Sequence, residues 1–192
     1  MEIKAVLSII AIILTFIAYI PYLRDIVKKK THPHIYSWLI WGLVASIAFG
    51  LQVSGGAGVG AWVMLVVAML NIAIFIFGFK YGTKDITKTD TVFLLLALFA
   101  LFLWLIVKQP VLSVILDTSI SIIGLGPTVR KSWNRPHSET LFLWELNSFR
   151  HVLTIFALQN YSIVTWLYPG AWIVANALFS IMLIIRRRQV EK

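Results

Sequence analysis

The 192-residue chain contains no cysteine, which excludes disulfides, thiol catalysis and cysteine-ligated metal sites. Acid is scarce: eight Asp and Glu stand against seventeen Lys and Arg, and charged residues together make up only 13%. A phosphate-binding loop is missing too. Gly55-Gly56-Ala57-Gly58-Val59-Gly60 has neither a preceding strand nor a GK[ST] ending, and reads as a short turn on the outer side. His32, His34 and His137 fall in basic loops without a second group of metal ligands, and read as solvated or phosphate-facing. With no nucleophile–base set either, the expectation is a protein that is not an enzyme and uses no metal or cofactor.

What is present is apolar residue, 59% of the chain, more than a soluble domain of this size hides in one core. Seven apolar segments near membrane-spanning length are expected at about 4–23, 35–53, 58–79, 92–107, 111–129, 139–158 and 163–185. The formal net charge of +9 does not indicate nucleic-acid binding, because the basic residues flank apolar spans and form no continuous face. Arg24 and Lys28 to Lys30 follow the first segment, and Lys80, Lys84 and Lys88 follow the third. Arg130, Lys131 and Arg135 follow the fifth, and Arg186 to Arg188 with Lys192 end the chain. Seven spans put all four groups on one side and leave Lys4 and Lys108 on the other. By the positive-inside rule the N-terminus is then outside and the C-terminus cytoplasmic.

The segment Ile20 to Leu43, IPYLRDIVKKKTHPHIYSWLIWGL, has a second version at Gly126 to Leu146, GPTVRKSWNRPHSETLFLWEL. Pro21 answers to Pro127, Arg24 to Arg130, Pro33-His34 to Pro136-His137 and Trp41 to Trp144. Duplication at this spacing implies two parallel three-helix units, residues 1–82 and 109–192, joined across residues 83–108 by a linker helix. The expected fold is therefore all-α and membrane-integral, seven helices in a 3+1+3 plan. Such a chain already holds both repeats, so a monomer suffices and a homo-oligomer is compatible with it.

Polar residues inside the apolar segments are the candidate site. Pro21 and Pro127 fall at matching points and read either as static kinks or as gating hinges. Asn71 and Asn176 lie about 18–20 Å from the outer end, near the bilayer midplane. They fit a pseudo-symmetric pocket, against the plainer role of bonding a neighbouring helix. The fifth segment carries Asp117, and the sixth carries Glu145, Asn147, Ser148, Arg150 and His151. Asp117 and Arg150 lie at similar depth, so an ion pair between them is expected, while Glu145 reaches the level of the asparagines. The charged cluster has two readings: a lock between helices, or a site for a charged end of a substrate or a coupling proton. Most tryptophans sit toward segment ends as interface anchors, and Trp41, Trp62, Trp144 and Trp172 are also candidates for a pocket floor.

Ile20-Pro21-Tyr22-Leu23 and Ala171 to Leu178, AWIVANAL, followed by Arg186 to Arg188, resemble motifs of the PQ-loop superfamily, which includes the SWEET and SemiSWEET transporters and the KDEL receptors. Tyr22 and Thr128 stand where that family carries glutamine. Ser37 to Trp41 and Pro127 to Lys131 are similar to an uncharacterised prokaryotic branch, which implies a prokaryotic plasma membrane. The resemblance implies that Asn176, with Asn71 as its partner, contacts substrate, and that Asp117 answers to the acidic residue of proton-coupled exporters. The missing glutamines and the charged sixth segment depart from the sugar-carrying branch. The function expected is alternating-access transport of a small polar or charged solute across a lipid bilayer. Substrate contacts would come from Asn71, Asn176, Glu145, Asn147, Trp62 and Trp172, and charge or proton coupling from Asp117, Arg150 and His151. A receptor of the KDEL-receptor kind, using the same pocket without transport, is the alternative.

Overall fold

The computed structural model describes residues 2–82, 87–89, 91–92, 94–95, 106 and 109–190. Within them the chain is helical throughout: α1 (Glu2–Val27), α2 (Ile35–Ser54), α3 (Trp62–Tyr81), α4 (Pro110–Asn134), α5 (Leu141–Ala157) and α6 (Ile163–Gln189). The expected fourth segment, 92–107, and with it the linker, falls largely outside the described residues, as do Lys84, Trp104 and Lys108. Five of the six helices are long and apolar enough to cross a membrane. At 17 residues, α5 extends only about 25 Å, short of the roughly 30 Å hydrocarbon core.

The surface explains why these helices belong in lipid. Along α1, Val6, Ile9, Ile10, Ile13, Phe16, Ile17 and Ile20 recur at helical spacing, and all are exposed. Val174, Leu178, Ile181 and Ile185 do the same along α6. Most ionisable and amide side chains within the spans point the other way: Asn71, Asp117, Asn147, Arg150, His151 and Asn176 are all buried, with Glu145 the exposed exception. Apolar outside and polar inside suits a hydrocarbon solvent, where a polar group facing lipid goes unsatisfied. The protein is an integral membrane protein with an all-α fold.

Local chemistry sets the ends. Pro110 opens α4 at a position where its missing N–H is no loss. Ser162 and Thr165 form a capping box on α6. After α2 the backbone turns through Gly56 and Gly58, both at positive φ, into a 3₁₀ turn at Gly58–Ala61. A Cβ at Gly58 would also lie 2.2 Å from the Gln159 side chain, which would have to swing aside.

Packing follows a reciprocal pattern. α3 contacts both α1 and α2, and α6 contacts both α4 and α5. Across the middle, α1 packs on α5 and α2 on α4. Where α2 meets α4, Gly124 allows the approach: a Cβ there would lie 2.9 Å from Ile40 Cγ2 and 3.3 Å from Trp41 Nε1. Pro21, Pro127 and also Pro169 lie inside α1, α4 and α6.

Candidate functional site

At mid-bundle a cavity opens between α1, α2, α3, α5 and α6. Its polar lining comes from Asn71 midway along α3, from Asn147, Arg150 and His151 on one stripe of α5, and from Asn176 midway along α6. The spacing of Asn147, Arg150 and His151 (i, i+3, i+4) turns all three to the same face. Its volume open to water is about 30 Å³, room for roughly two water molecules.

The hydrogen bonds divide the lining into satisfied and unsatisfied groups. Tyr19 Oη donates to Asn71 Oδ1 (2.9 Å), and Asn71 Nδ2 donates to the Trp41 carbonyl (3.2 Å), so that amide is committed on both atoms. Arg150 Nε donates to Asn147 Oδ1 (3.1 Å), and its Nη2 lies 2.8 Å from His151 Nε2. A guanidinium has no acceptor, so His151 Nε2 accepts and the imidazole proton sits on Nδ1. Arg150 Nη1, His151 Nδ1, Trp172 Nε1 and Asn176 Oδ1 are buried and make no hydrogen bond.

Below this layer, toward the end of the bundle where the basic loops gather, aromatic rings form a floor. Trp41 meets Trp38, Trp144 and Trp172 edge-on at centroid distances of 5.0, 5.7 and 5.6 Å, and Trp144 meets Phe179 at 4.5 Å. Trp41 Nε1 donates to the Ser121 carbonyl of α4 (3.0 Å). Trp41 and Trp144 thus meet at the centre of this floor.

Beneath the floor lies an ionic cluster on Glu139. Its carboxylate pairs with Lys131 Nζ and accepts from Tyr22 Oη (3.2 Å) and Trp144 Nε1 (3.4 Å). Lys131 Nζ also donates to the His32 carbonyl (2.6 Å), and Arg187 Nη2 donates to the Glu139 carbonyl. Nearby, His32 N donates to the Ser138 carbonyl (3.2 Å), and Thr140 Oγ1 donates to Asp25 Oδ2 (3.2 Å). The cluster joins the loop after α1 to the loop before α5 and to the end of α6. Contacts at the far end are fewer and mostly with backbone: Lys4 Nζ on the Leu158 carbonyl (2.6 Å) and Ser8 Oγ on the Val59 carbonyl (2.8 Å).

Of the residues singled out in the sequence, the cavity brings together Asn71, Asn147, Arg150, His151, Trp172 and Asn176. Three others lie elsewhere. Glu145 is exposed: two residues before Asn147, it sits roughly 200° around the helix from the lining stripe. Trp62 is 55% exposed beside Phe49, an outer-surface position and not a pocket floor. Asp117 is buried, but neither carboxylate oxygen makes a hydrogen bond, and the expected ion pair with Arg150 is not formed. The cause is topological. Asp117 sits on α4, whose packing partners are α2 and α6, whereas Arg150 on α5 faces the cavity. His34, expected in a solvated loop, is buried at the start of α2.

Sequence reasoning passed over Tyr19, Trp38 and Tyr168, which also line the cavity, and the Lys131–Glu139 pair. Tyr168, Trp172 and Asn176 recur every fourth residue, a stripe that could have flagged the tyrosine. Lys131 carried no such signal, since a lysine among basic residues at a helix end reads as solvated. Among the described residues no group of His, Asp and Glu is arranged to hold a metal. Searches against family models, curated proteins and solved structures gave no match to this chain.

Proposed function

We propose that the protein is an alternating-access carrier for a small polar or charged solute, of the PQ-loop kind, with seven helices in a 3+1+3 plan and segment 92–107 as the linker. The reciprocal packing of α1–α3 and α4–α6 supports two repeated units, since each third helix lies between its first and second. The observation that carries the reading is the mid-bundle cavity, with buried polar atoms left unbonded between two differently closed ends. Substrate contacts fall to Asn147, Arg150, His151, Trp172 and Asn176, with Asn71 fixed beside them. By the positive-inside rule the Glu139 cluster is the cytoplasmic closure and the Lys4 contacts the outer one. Pro21 and Pro127 are the hinges next to the cytoplasmic closure. Asp117 is the candidate proton-coupling group, and Asp117→Asn should uncouple flux from a pH gradient.

The absence of cysteine provides the test. A single Val67→Cys places the protein's one thiol on the cavity wall. In a carrier, a membrane-impermeant maleimide labels that thiol from either side of the bilayer, because the two closures open in turn. Labelling from one side alone would favour the receptor reading, and no labelling from either side would contradict both.

A further inference from the structure

We infer that the cavity takes a small organic monocarboxylate with a flat body, its carboxylate on Arg150 and its body against the tryptophan floor. This rests on the cavity being the carrier's substrate site, and adds the chemical class of the substrate.

Charge balance comes first. Arg150 is 1% exposed, and its guanidinium stays charged in any protein setting. Its partners are the neutral Asn147 and His151, and no carboxylate of the described residues lies within ion-pair distance of it. No Asp or Glu lines the cavity. A cation buried in a membrane without a counter-charge is costly, and marks a place where something else supplies the charge. One negative charge cancels it. A phosphate dianion would leave the cavity net negative, and a neutral sugar would leave it net positive. A zwitterionic amino acid would bring an ammonium that no acidic residue of the lining receives, since Asp117 lies outside it.

The donor count agrees. Among the lining residues Arg150 Nη1, His151 Nδ1, Trp38 Nε1 and Trp172 Nε1 are buried donors without acceptors, against a single unbonded acceptor, Asn176 Oδ1. A carboxylate offers only acceptors, with about four lone-pair sites on two oxygens, and its planar fork matches a guanidinium. His151 lies parallel to Trp172 (10° between planes, centroids 6.4 Å apart), with Nε2 against Arg150 and Nδ1 unbonded. The remaining wall is largely aromatic, with Trp38, Trp41, Trp144 and Trp172 all lining it, which suits a flat apolar body.

The test uses the purified full-length protein in detergent and follows its melting temperature with benzoate, benzamide, phenyl phosphate, phenylalanine and glucose as probes. A ligand that binds the folded state raises that temperature by mass action. Benzoate should raise it in a concentration-dependent way, and benzamide, of the same shape without the charge, should not. Arg150→Met should lose benzoate affinity at least tenfold, while Arg150→Lys, which keeps the charge without the fork, should lose less. An equal response to benzamide, a response to glucose or phenylalanine in place of benzoate, or undiminished benzoate binding in Arg150→Met would overturn the inference. So would no response to benzoate at all. Labelling of Val67→Cys from both sides would leave the carrier reading standing in each of those cases, which separates the two failures.

Discussion

The cavity and the Glu139 cluster lie a few helical turns apart in the same bundle, and they treat buried charge in opposite ways. Around Glu139 the charges are saturated: the carboxylate has a lysine, a tyrosine hydroxyl and an indole, and the lysine has a backbone carbonyl as well. Around the cavity the donors outnumber the acceptors, and four are left without any. A polar group saturated by its neighbours rigidifies the fold, whereas one left unbonded weakens it and persists where a function keeps it. The cluster therefore ties loops together, whereas the cavity, on the proposed carrier reading, keeps its unbonded atoms for a ligand.

The largest expected break in that contrast is Glu139→Ala. It strands the Lys131 ammonium, whose side chain is 2% exposed, and leaving a buried ion uncompensated costs about 3–5 kcal/mol. Its melting temperature should fall sharply, and the double variant Lys131→Met/Glu139→Leu should recover most of the loss. If the single and double variants melt alike, the cluster's role does not depend on charge balance.

Next in size is Gly124→Val, which wedges α2 from α4 beside Trp41, the ring that roofs one region and floors the other. Overpacking of this kind costs about 1–3 kcal/mol. Denaturation monitored by tryptophan fluorescence should show both the loss of stability and a disturbed indole environment.

The two asparagines sharpen the comparison within the cavity itself. Asn71→Ala removes hydrogen bonds to both Tyr19 and Trp41 and should destabilise by about 1 kcal/mol, the usual scale for interhelical bonds in membranes. Asn176→Ala removes an amide whose oxygen is unbonded, so melting should shift less while ligand affinity falls. If Asn176→Ala proves the more destabilising of the two, unbonded atoms do not mark the ligand site.

Much of this was legible from the amino acids. Each described helix lies where an apolar run predicted it; α1, α4 and α6 run past the expected bounds, whereas α5 is shorter than its segment at both ends and α3 begins later, after the 3₁₀ turn. α1 continues past Arg24 to Val27 and α6 past Arg188 to Gln189, because hydropathy ends with the hydrocarbon while backbone hydrogen bonding does not. Depth along the membrane could also be counted, and Asn71 and Asn176, counted to the same depth, do line one cavity. Direction around the helix was harder to read. Glu145 sits on the wrong face of a helix whose right face carries Asn147, Arg150 and His151, and depth alone paired Asp117 with an arginine on a helix it does not pack against. The Lys131–Glu139 pair was not legible at all, since both lie at helix ends where charge ordinarily faces solvent.

The most direct test of the account is the melting temperature of Arg150→Met measured without ligand, beside that of Glu139→Ala. Replacing an unpaired buried cation with an apolar side chain of similar length should leave stability unchanged or raise it, while the Glu139 variant falls. Opposite responses would bear out a cavity kept unsatisfied for a ligand. A fall in Arg150→Met as steep as that of Glu139→Ala would contradict it, and would make Arg150 one more tie in the scaffold.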